Sequence, residues 1–345
     1  MEINVPEFNA NYRPNGLSVV IPNYNGADLL KKTLPPLEVA LQKLEIPWEV
    51  IVADDCSTDQ STHFIRQNFP WITLLEKPEN EGFSKTINTG IGQARFELVF
   101  LMNSDIILTP DYFGKQFKYF SLPDTFGVCG RIAGWDDNFI QDGARLPAFE
   151  LFKLKISRHY IPTDLNTNPC FTLYLSGANA LLNREKLLQL KGFNEIFSPF
   201  YAEDLELSVR AWRRGWKCYY EHQVLCRHRL SATIRTKARK DYIKKIYYRN
   251  KLFFHGIHLP ALYLAGFIIQ TACEALLRLM LFNPILLQSL LMFAKQRRQW
   301  MKARNEFAKT PGSVSLPQVV KNLKRSVKKS KVVFFRSGQI SAPEP

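Results

Sequence analysis

Hydrophobic and polar positions along the first hundred residues alternate between two rhythms. Short apolar, β-branched runs, "LSVVIPNYNG" (17–26), "WEVIVADDCSTD" (48–59), "WITLLEK" and "FELVFLMNSDIIL", are bounded by Asn, Asp, Gly or Pro, the pattern of a buried strand running into a polar loop. Between them lie "ADLLKKTLPPLEVALQKL", "STHFIRQNF" and "SKTINTGIGQA", with helical spacing; Pro35 and Pro36 are expected to start, kink or interrupt the first helix. Strands alternating with helices predict right-handed crossovers and a largely parallel sheet covered on both faces. Farther along, "YAEDLELSVRAWRRGW" (201–216) sets Leu205, Val209 and Trp212 on one helical stripe, so Glu203 and Asp204 lie at or just before a helix N-terminus. Unpaired N–H groups and partial positive charge there favour carboxylates, and a plain acidic cap accounts for the pair taken alone.

Ligands of open α/β sheets bind beyond the carboxyl ends of the strands. Tyr24 follows the first strand, Asp54 and Asp55 the second, Asn80 and Gly82 the third, Asn103 and Asp105 the fourth. Each is an ordinary turn former alone, but four such ends in register describe a pocket. No GxGxxG or GxxxxGK[ST] follows the first strand, so phosphates would be held in another way. Asp105, just past a strongly apolar strand, has little structural use unless a cation sits opposite. Mg²⁺ or Mn²⁺ takes one or two protein carboxylates and fills its shell with phosphate oxygens and water. Gly177 in "LYLSGANALL" reads as lying within an apolar strand. Residues 133–170 read as an irregular, aromatic insertion, with Trp135 and Phe149 able to stack on a sugar or to cover core.

Charge divides the chain. Residues 1–225 hold 22 Lys and Arg against 27 Asp and Glu, whereas residues 226–345 hold 24 against 4. An anionic partner surface is implied for the C-terminal part. There, "LPALYLAGFIIQTAC" (259–273) carries no charge, and "ILLQSLLMFA" resumes after Asn283-Pro284. Two short apolar helices flanked by bases predict an interfacial hairpin or membrane foot, with a buried helical subdomain or an oligomer interface as the alternative. Glu274 and Arg278 are expected to neutralise each other at i,i+4. Six cysteines show no CxxC or zinc spacing, and reduced thiols are expected. The N-terminus has no basic region followed by an apolar core, so no secretory signal is expected.

Taken in order, "VVIPNYNG", "VADDCSTD", "NEGFSKTINTGI", "LMNSDI", "SGANALLNREKLLQLKGFNEIF" and "YAEDLELSVRAWRRGWKC" resemble the inverting family 2 glycosyltransferases, over about residues 17–235, and within them the bacterial rhamnosyltransferase-like group. The resemblance implies a GT-A fold: a Rossmann-like nucleotide-binding half (17–110) and an acceptor half (111–235) on one mixed central sheet. A helical, apolar, membrane-associating segment (236–310) and a basic tail (311–345), expected to be flexible, would follow. It also implies site roles. Pro22 and Tyr24 would lie against the nucleotide base, and Asp54 and Asp55 would bind base or ribose, with Asn80, Asn103 and Ser104 completing the donor site. Asn103-Ser104-Asp105 stands where the family has DxD, so Asp105 is the one motif carboxylate for Mg²⁺ or Mn²⁺. His228 stands where some relatives supply a histidine to the metal; a basic surface strand is the alternative. Asp204 would be the catalytic base, with Glu203 positioning it or binding acceptor hydroxyls. The QxxRW motif of processive enzymes is missing.

The implied activity is transfer of a single sugar from a nucleotide-diphosphate sugar to a glycan or glycolipid acceptor in surface polysaccharide synthesis. It would take place at the cytoplasmic face of the cell membrane, with a peripheral or monotopic enzyme on anionic lipids, no nucleic acid, and oligomers possible. A sugar nucleotidyltransferase and a non-catalytic membrane-bound or nucleic-acid-binding scaffold stay open. The first would need a Gly-rich basic loop after strand one, which "IPNYNG" does not supply; the second is discriminated by absence of turnover.

Overall fold

The computed structural model describes residues 7–135, 139–163, 169–229, 237–308 and 312–337. The nucleotide-binding half is built as the periodicity predicts: β1 (Leu17–Asn23), α1 (Ala27–Gln42), β2 (Trp48–Asp54), α2 (Ser61–Asn68), β3 (Thr73–Glu76), α3 (Phe83–Gln93) and β4 (Leu98–Met102). Helix α1 runs through Pro35 and Pro36 rather than breaking. The carbonyls that lose donors belong to Lys31 and Lys32, both exposed, so water replaces the missing bonds. Leu30, Leu34, Leu37 and Leu41 hold the other face in the core.

The chain continues through β5 (Ile106–Leu108), β6 (Thr125–Gly134), β7 (Ile140–Asp142), β8 (Ala144–Glu150), β9 (Lys153–Pro162), β10 (Cys170–Phe171), β11 (Asn179–Asn183), α4 (Arg184–Gln189), α5 (Glu203–Arg213) and β12 (Lys217–His228). The central sheet has the order β10-β12-β6-β11-β4-β1-β2-β3, with β5 on β12 and β7 on β6. β3, β2, β1 and β4 run parallel. β11 enters antiparallel between β4 and β6, and β12 returns parallel to β6. The sheet is therefore mixed. Its centre is apolar throughout: Val19, Val20, Val52, Phe100, Leu101 and Leu181 are all shut from water, as strands covered on both faces require.

Over its described residues the insertion is not irregular: β8 and β9 form an antiparallel hairpin. Gly177 lies in a turn before β11 rather than inside a strand, because Ser176 O accepts from Asn179 N and closes that turn.

Helices α6 (Lys237–His258), α7 (Ala261–Met280), α8 (Ile285–Lys295) and α9 (Arg297–Ala308) follow, then α10 (Leu316–Lys328) and β13 (Val332–Phe335). The segment expected as a flexible tail is ordered over 312–337. Leu316, Val319, Val320, Leu323 and Val327 form one buried stripe of α10, capped by Ser315, whose side chain accepts from Gln318 N. β13 then adds to β9, making a three-stranded sheet with β8. The 3.6-residue rhythm of "LPQVVKNLKRSV" is the physical reason; its lysines take the outer face.

Candidate active site

The carboxyl ends of β1, β2 and β4 converge with the turn before β11 and the start of α5. Asn103 N donates to Ala178 O at 3.2 Å. Next to it, a Cβ placed on Gly177 would meet the Asp204 Cβ at 3.8 Å and the Phe83 ring at 3.6 Å. Residues 177–178 thus touch both the Asn103-Ser104-Asp105 turn and the acid pair. From the donor side, the loop at Gly82 abuts Pro199, at 3.4 Å from a notional Cβ. Ser104 is tied to α1, its carbonyl accepting from Thr33 Oγ1 at 3.1 Å.

Asp105 faces His228 across the β5–β12 pairing. His228 Nε2 lies 3.3 Å from Asp105 Oδ2. Gln141 orients the ring: its Nε2 donates to His228 O at 3.2 Å, so its Oε1 is left to accept from His228 Nδ1 at 2.9 Å. With Nδ1 engaged by Gln141, Nε2 is the ring nitrogen that faces the Asp105 carboxylate. Asp105 Oδ1 is buried with no partner, as is Asn103 Oδ1. An imidazole nitrogen and a carboxylate with one orphaned oxygen face one another, a donor pair that a divalent cation can take. Among the described residues no cluster of three or more His, Cys, Asp or Glu forms a metal cage. The donor set therefore fits an ion that takes its remaining oxygens from phosphate and water.

The acids after β2 are engaged within the protein. Asp54 accepts from Asn23 Nδ2 at 2.7 Å, Ser57 N at 2.8 Å and Ser57 Oγ at 2.6 Å. Asp55 accepts from the backbone N–H groups of Glu81 and Gly82 at 2.9 and 2.8 Å, with Lys77 Nζ 3.3 Å away. Gly82 needs its glycine, since its φ of +84° is left-handed. Tyr24 is 55% exposed at the mouth, Pro22 pairs in β1 opposite Ala53, and Asn80 is exposed on the loop before α3.

Glu203 and Asp204 open α5, and their surroundings differ from those of Asp54 and Asp55. Asp204 Oδ1 accepts from Leu205 N at 2.7 Å. Burial raises its carboxyl above the usual range, and the N–H groups of Leu205 and Gly177 pull the other way. The sign is therefore upward. Glu203 Oε2 is buried without a partner, and burial, then the charge of Asp204, pushes Glu203 up to about 8. A carboxylate whose pKa is raised toward working pH is a better proton acceptor than an ordinary one.

A family model, Glycosyl transferase family 2, matches residues 18–190. The chain belongs to glycosyl transferase family 2. Among curated relatives, the O-antigen chain rhamnosyltransferase RfbN of Salmonella typhimurium is 23% identical over 66% of this chain and 70% of its own length. The N-acetylglucosaminyl-diphospho-decaprenol L-rhamnosyltransferase of Mycobacterium tuberculosis is 25% identical over 59% and 73%. The chondroitin synthase of Escherichia coli is 25% identical over 60% of this chain, which spans only 33% of that protein. In structure, GalNAc-T7 with UDP, GalNAc and Mn²⁺ superposes with a TM-score of 0.65 at 13% identity, over 92% of this chain and 58% of that one. The mannosyltransferase PcManGT of Pyrobaculum calidifontis, in complex with GDP-Man and Mn²⁺, gives 0.53 at 17%, over 94% and 88%. These structural likenesses show the fold, a GT-A-like α/β domain with a mixed central sheet.

Several polar side chains around the site are spent on the framework. Arg210 bonds Glu206 at 2.9 Å and Gly192 O at 2.7 Å. Arg213 bonds Val314 O at 3.1 Å and lies over the Phe307 ring at 4.1 Å. Asn88 cross-links α3 to Phe193 through N–H and C=O at 2.8 and 2.9 Å, and Lys85 pairs with Glu81 at 2.8 Å. Trp135 has Lys32 and Arg229 over its ring, whereas Phe149 packs on Tyr263.

Sequence reading missed Gln141, Asp142 and Arg145 of the insertion. Arg145 Nε bonds Asp142 Oδ1 at 2.7 Å. Burial works to raise the Asp142 carboxyl, but Arg145 and His159 hold it down at about 2, and both members of the pair act on Asp204, with opposite signs. The "QDGAR" spelling was a signal in hindsight, an acid and a base three apart around a glycine.

Proposed function

We propose that this glycosyltransferase is a metal-dependent inverting enzyme that moves a single sugar from a nucleoside-diphosphate sugar to a lipid-linked glycan acceptor. The observation that carries the reading is His228 Nε2 facing Asp105 at 3.3 Å beside a buried, unpartnered Asp105 oxygen. Asp105 and His228 would hold Mg²⁺ or Mn²⁺, with Asn103 and Ser104 shaping the turn and Gln141 fixing the imidazole. The ion, when bound, would neutralise charge building on the departing diphosphate. Pro22, Tyr24, Asp55 and Asn80 would frame the nucleoside, Asp54 acting through the loop it organises.

On the opposite side, Asp204 takes the acceptor hydroxyl proton as that oxygen attacks the anomeric carbon from the face away from the diphosphate. Its raised pKa suits that transfer. Glu203 stays close enough to keep the pair sharing charge, and Arg145 with Asp142 tunes it from the acceptor side. Solved relatives' names include Mn²⁺ with UDP or GDP-Man, and the curated relatives named as rhamnosyltransferases include one named for a diphospho-decaprenol acceptor; both support the reading.

Membrane attachment rests on α7 and α8. α7 has 20 residues, long and apolar enough to cross a bilayer, with 17% of its most apolar window buried. Its inner face is nevertheless fastened along its length: Gly266 abuts Phe152, Phe267 stacks on His255 at 4.1 Å, and Arg278 donates to Tyr248 OH at 3.0 Å. Glu274 pairs with Lys153 rather than with Arg278. The outer face leaves Leu262, Ile269, Leu277, Met280, Leu281 and Phe282 bare. A helix bonded to the soluble body on one side and bare on the other lies in the interface rather than across it. Its place would be the cytoplasmic leaflet, close to a lipid-linked acceptor.

A thermal-shift screen against UDP-, dTDP- and GDP-sugars with and without Mn²⁺ or Mg²⁺ tests the donor reading. One nucleotide class should raise Tm only when metal is present, because ligand binding to the folded state adds stability. Equal shifts with and without metal, or none with any donor, would remove the proposed role of Asp105 and His228.

A further inference from the structure

The loop that delivers Glu203 and Asp204 is held from behind by a helix that carries neither acid. Asn250 of α6 is wholly buried. Its Nδ2 lies 2.6 Å from the carbonyl of Phe197, 2.8 Å from that of Phe200 and 2.9 Å from that of Tyr201, so one of its two hydrogens is shared between two acceptors. Its Oδ1 accepts from Arg249 Nε at 2.9 Å, and Arg249 Nη2 reaches Ser198 O. Four carbonyls in five residues depend on these two side chains. Stripped of them, the buried Phe197 carbonyl and the part-buried carbonyls of Ser198, Phe200 and Tyr201 would lose these donors.

The backbone so held is one that its own residues disfavour. Tyr201 has φ of 79° and Ala202 φ of 73°, two successive left-handed residues and neither a glycine. Such conformations persist where surroundings over-determine them. Ala202 O accepts from Glu206 N at 2.9 Å as the first bond of α5, so the left-handed pair sets the direction in which α5 leaves. That direction decides where Glu203 and Asp204 point.

We propose that Asn250, braced by Arg249, is a positioning residue that holds Tyr201 and Ala202 left-handed and thereby aims the acid pair at the start of α5. The catalytic consequence rests on the role proposed for Asp204; the conformational consequence does not. α6 also carries α8 and α9 against it, so the same helix links the apolar foot to the acid pair.

Two readouts test this in the full chain. Hydrogen–deuterium exchange of the amides of residues 203–207 should quicken by about tenfold or more in Asn250→Ala, while Mn²⁺-dependent binding of UDP, dTDP and GDP stays as in the wild type. With the nucleotide sugar that the wild type turns over, kcat should fall by about tenfold to a hundredfold with donor KM unchanged. Adding Ala202→Gly, which tolerates positive φ without help, should return about fivefold of the lost kcat. If Asn250→Ala does not fold, Arg249→Gln, which leaves the amide in place, should give the same exchange signature at smaller size.

Unchanged exchange at 203–207, or a fall in kcat accompanied by an equal change in donor KM and no glycine rescue, would overturn the proposal. Quickened exchange confined to this segment in a chain that transfers no sugar would support the positioning role and refute the proposed function.

Discussion

Two pairs of adjacent acids belong to the candidate site, and they have opposite surroundings. Asp54 and Asp55 end a strand and are saturated by donors: Asn23, Ser57, two backbone N–H groups and Lys77. Glu203 and Asp204 begin a helix and are short of them, with one Glu203 oxygen buried and unpartnered and both carboxyls raised. In the sequence the two dipeptides look alike. What separates them is how many donors the fold supplies. A satisfied carboxylate fixes a loop; an underbonded one keeps a proton-accepting oxygen in reserve, at a cost in stability.

The contrast can be broken by substitution, and the largest effect is expected at Asp204. Asp204→Asn should keep metal-dependent nucleotide binding, measured by calorimetry, and lower sugar transfer by about 10² to 10⁴-fold, the usual worth of a general base. Full transfer by that variant would remove Asp204 from the role.

Next in size is the framework pair. Asp54→Ala strands Asn23 and Ser57 donors in a buried loop and should cost about 2–4 kcal/mol in chemical denaturation. A loss of catalysis with stability intact would instead place Asp54 among the groups that touch substrate.

The Glu203 carboxyl is tested through pH. Glu203 binds its proton more tightly folded than unfolded, so wild-type stability should decline as pH rises from about 4.5, the ordinary value, to about 8. Glu203→Gln cannot ionise and should flatten that part of the Tm profile, with its gain complete above pH 8 and absent below the unfolded pKa. A Tm profile parallel to wild type across the window would show that the Glu203 carboxyl is not destabilised by burial. Two histidines of α6 run in the opposite sense. Burial holds His255 down at about 3, and it holds His258 at about 4 against the pull of Glu206. Both are neutral when folded, and the stability they carry is lost as pH falls from about 6.5 toward those values.

The parallel half of the fold was legible in the sequence because its signal is local. "LSVVIPN", "WEVIVAD" and "ELVFLM" each alternate with a helix, and strand-end acids mark the pocket wherever the chain turns. The pairing of Asp105 with His228 could be suspected only from family resemblance, since 123 positions separate them and β5–β12 pairing brings them together. Arg145 stayed hidden because a hairpin with mixed charge and a register shift between Leu146 and Ala148 has no clean period, and Gln141 because its strand, β7, is only three residues long. Asn250 was hidden for a different reason. "YYRNKLFF" reads as a polar interruption in an aromatic helix, and nothing in it shows that one amide caps three distant carbonyls. The basic tail misled because its lysines dominate composition, while the five apolar positions that dock α10 are visible only at helical spacing.

The proposed transfer needs a divalent cation at Asp105 and His228, opposite a carboxylate that takes a proton. Anomalous diffraction at the manganese edge, from crystals grown with Mn²⁺ and the nucleoside diphosphate selected by the thermal-shift panel, addresses it most directly. The account predicts one peak within about 2.0–2.3 Å of an Asp105 oxygen and of His228 Nε2, with diphosphate oxygens completing the shell and Asp204 outside it. A peak ligated by Asp204, or one on residues remote from Asp105, would contradict it.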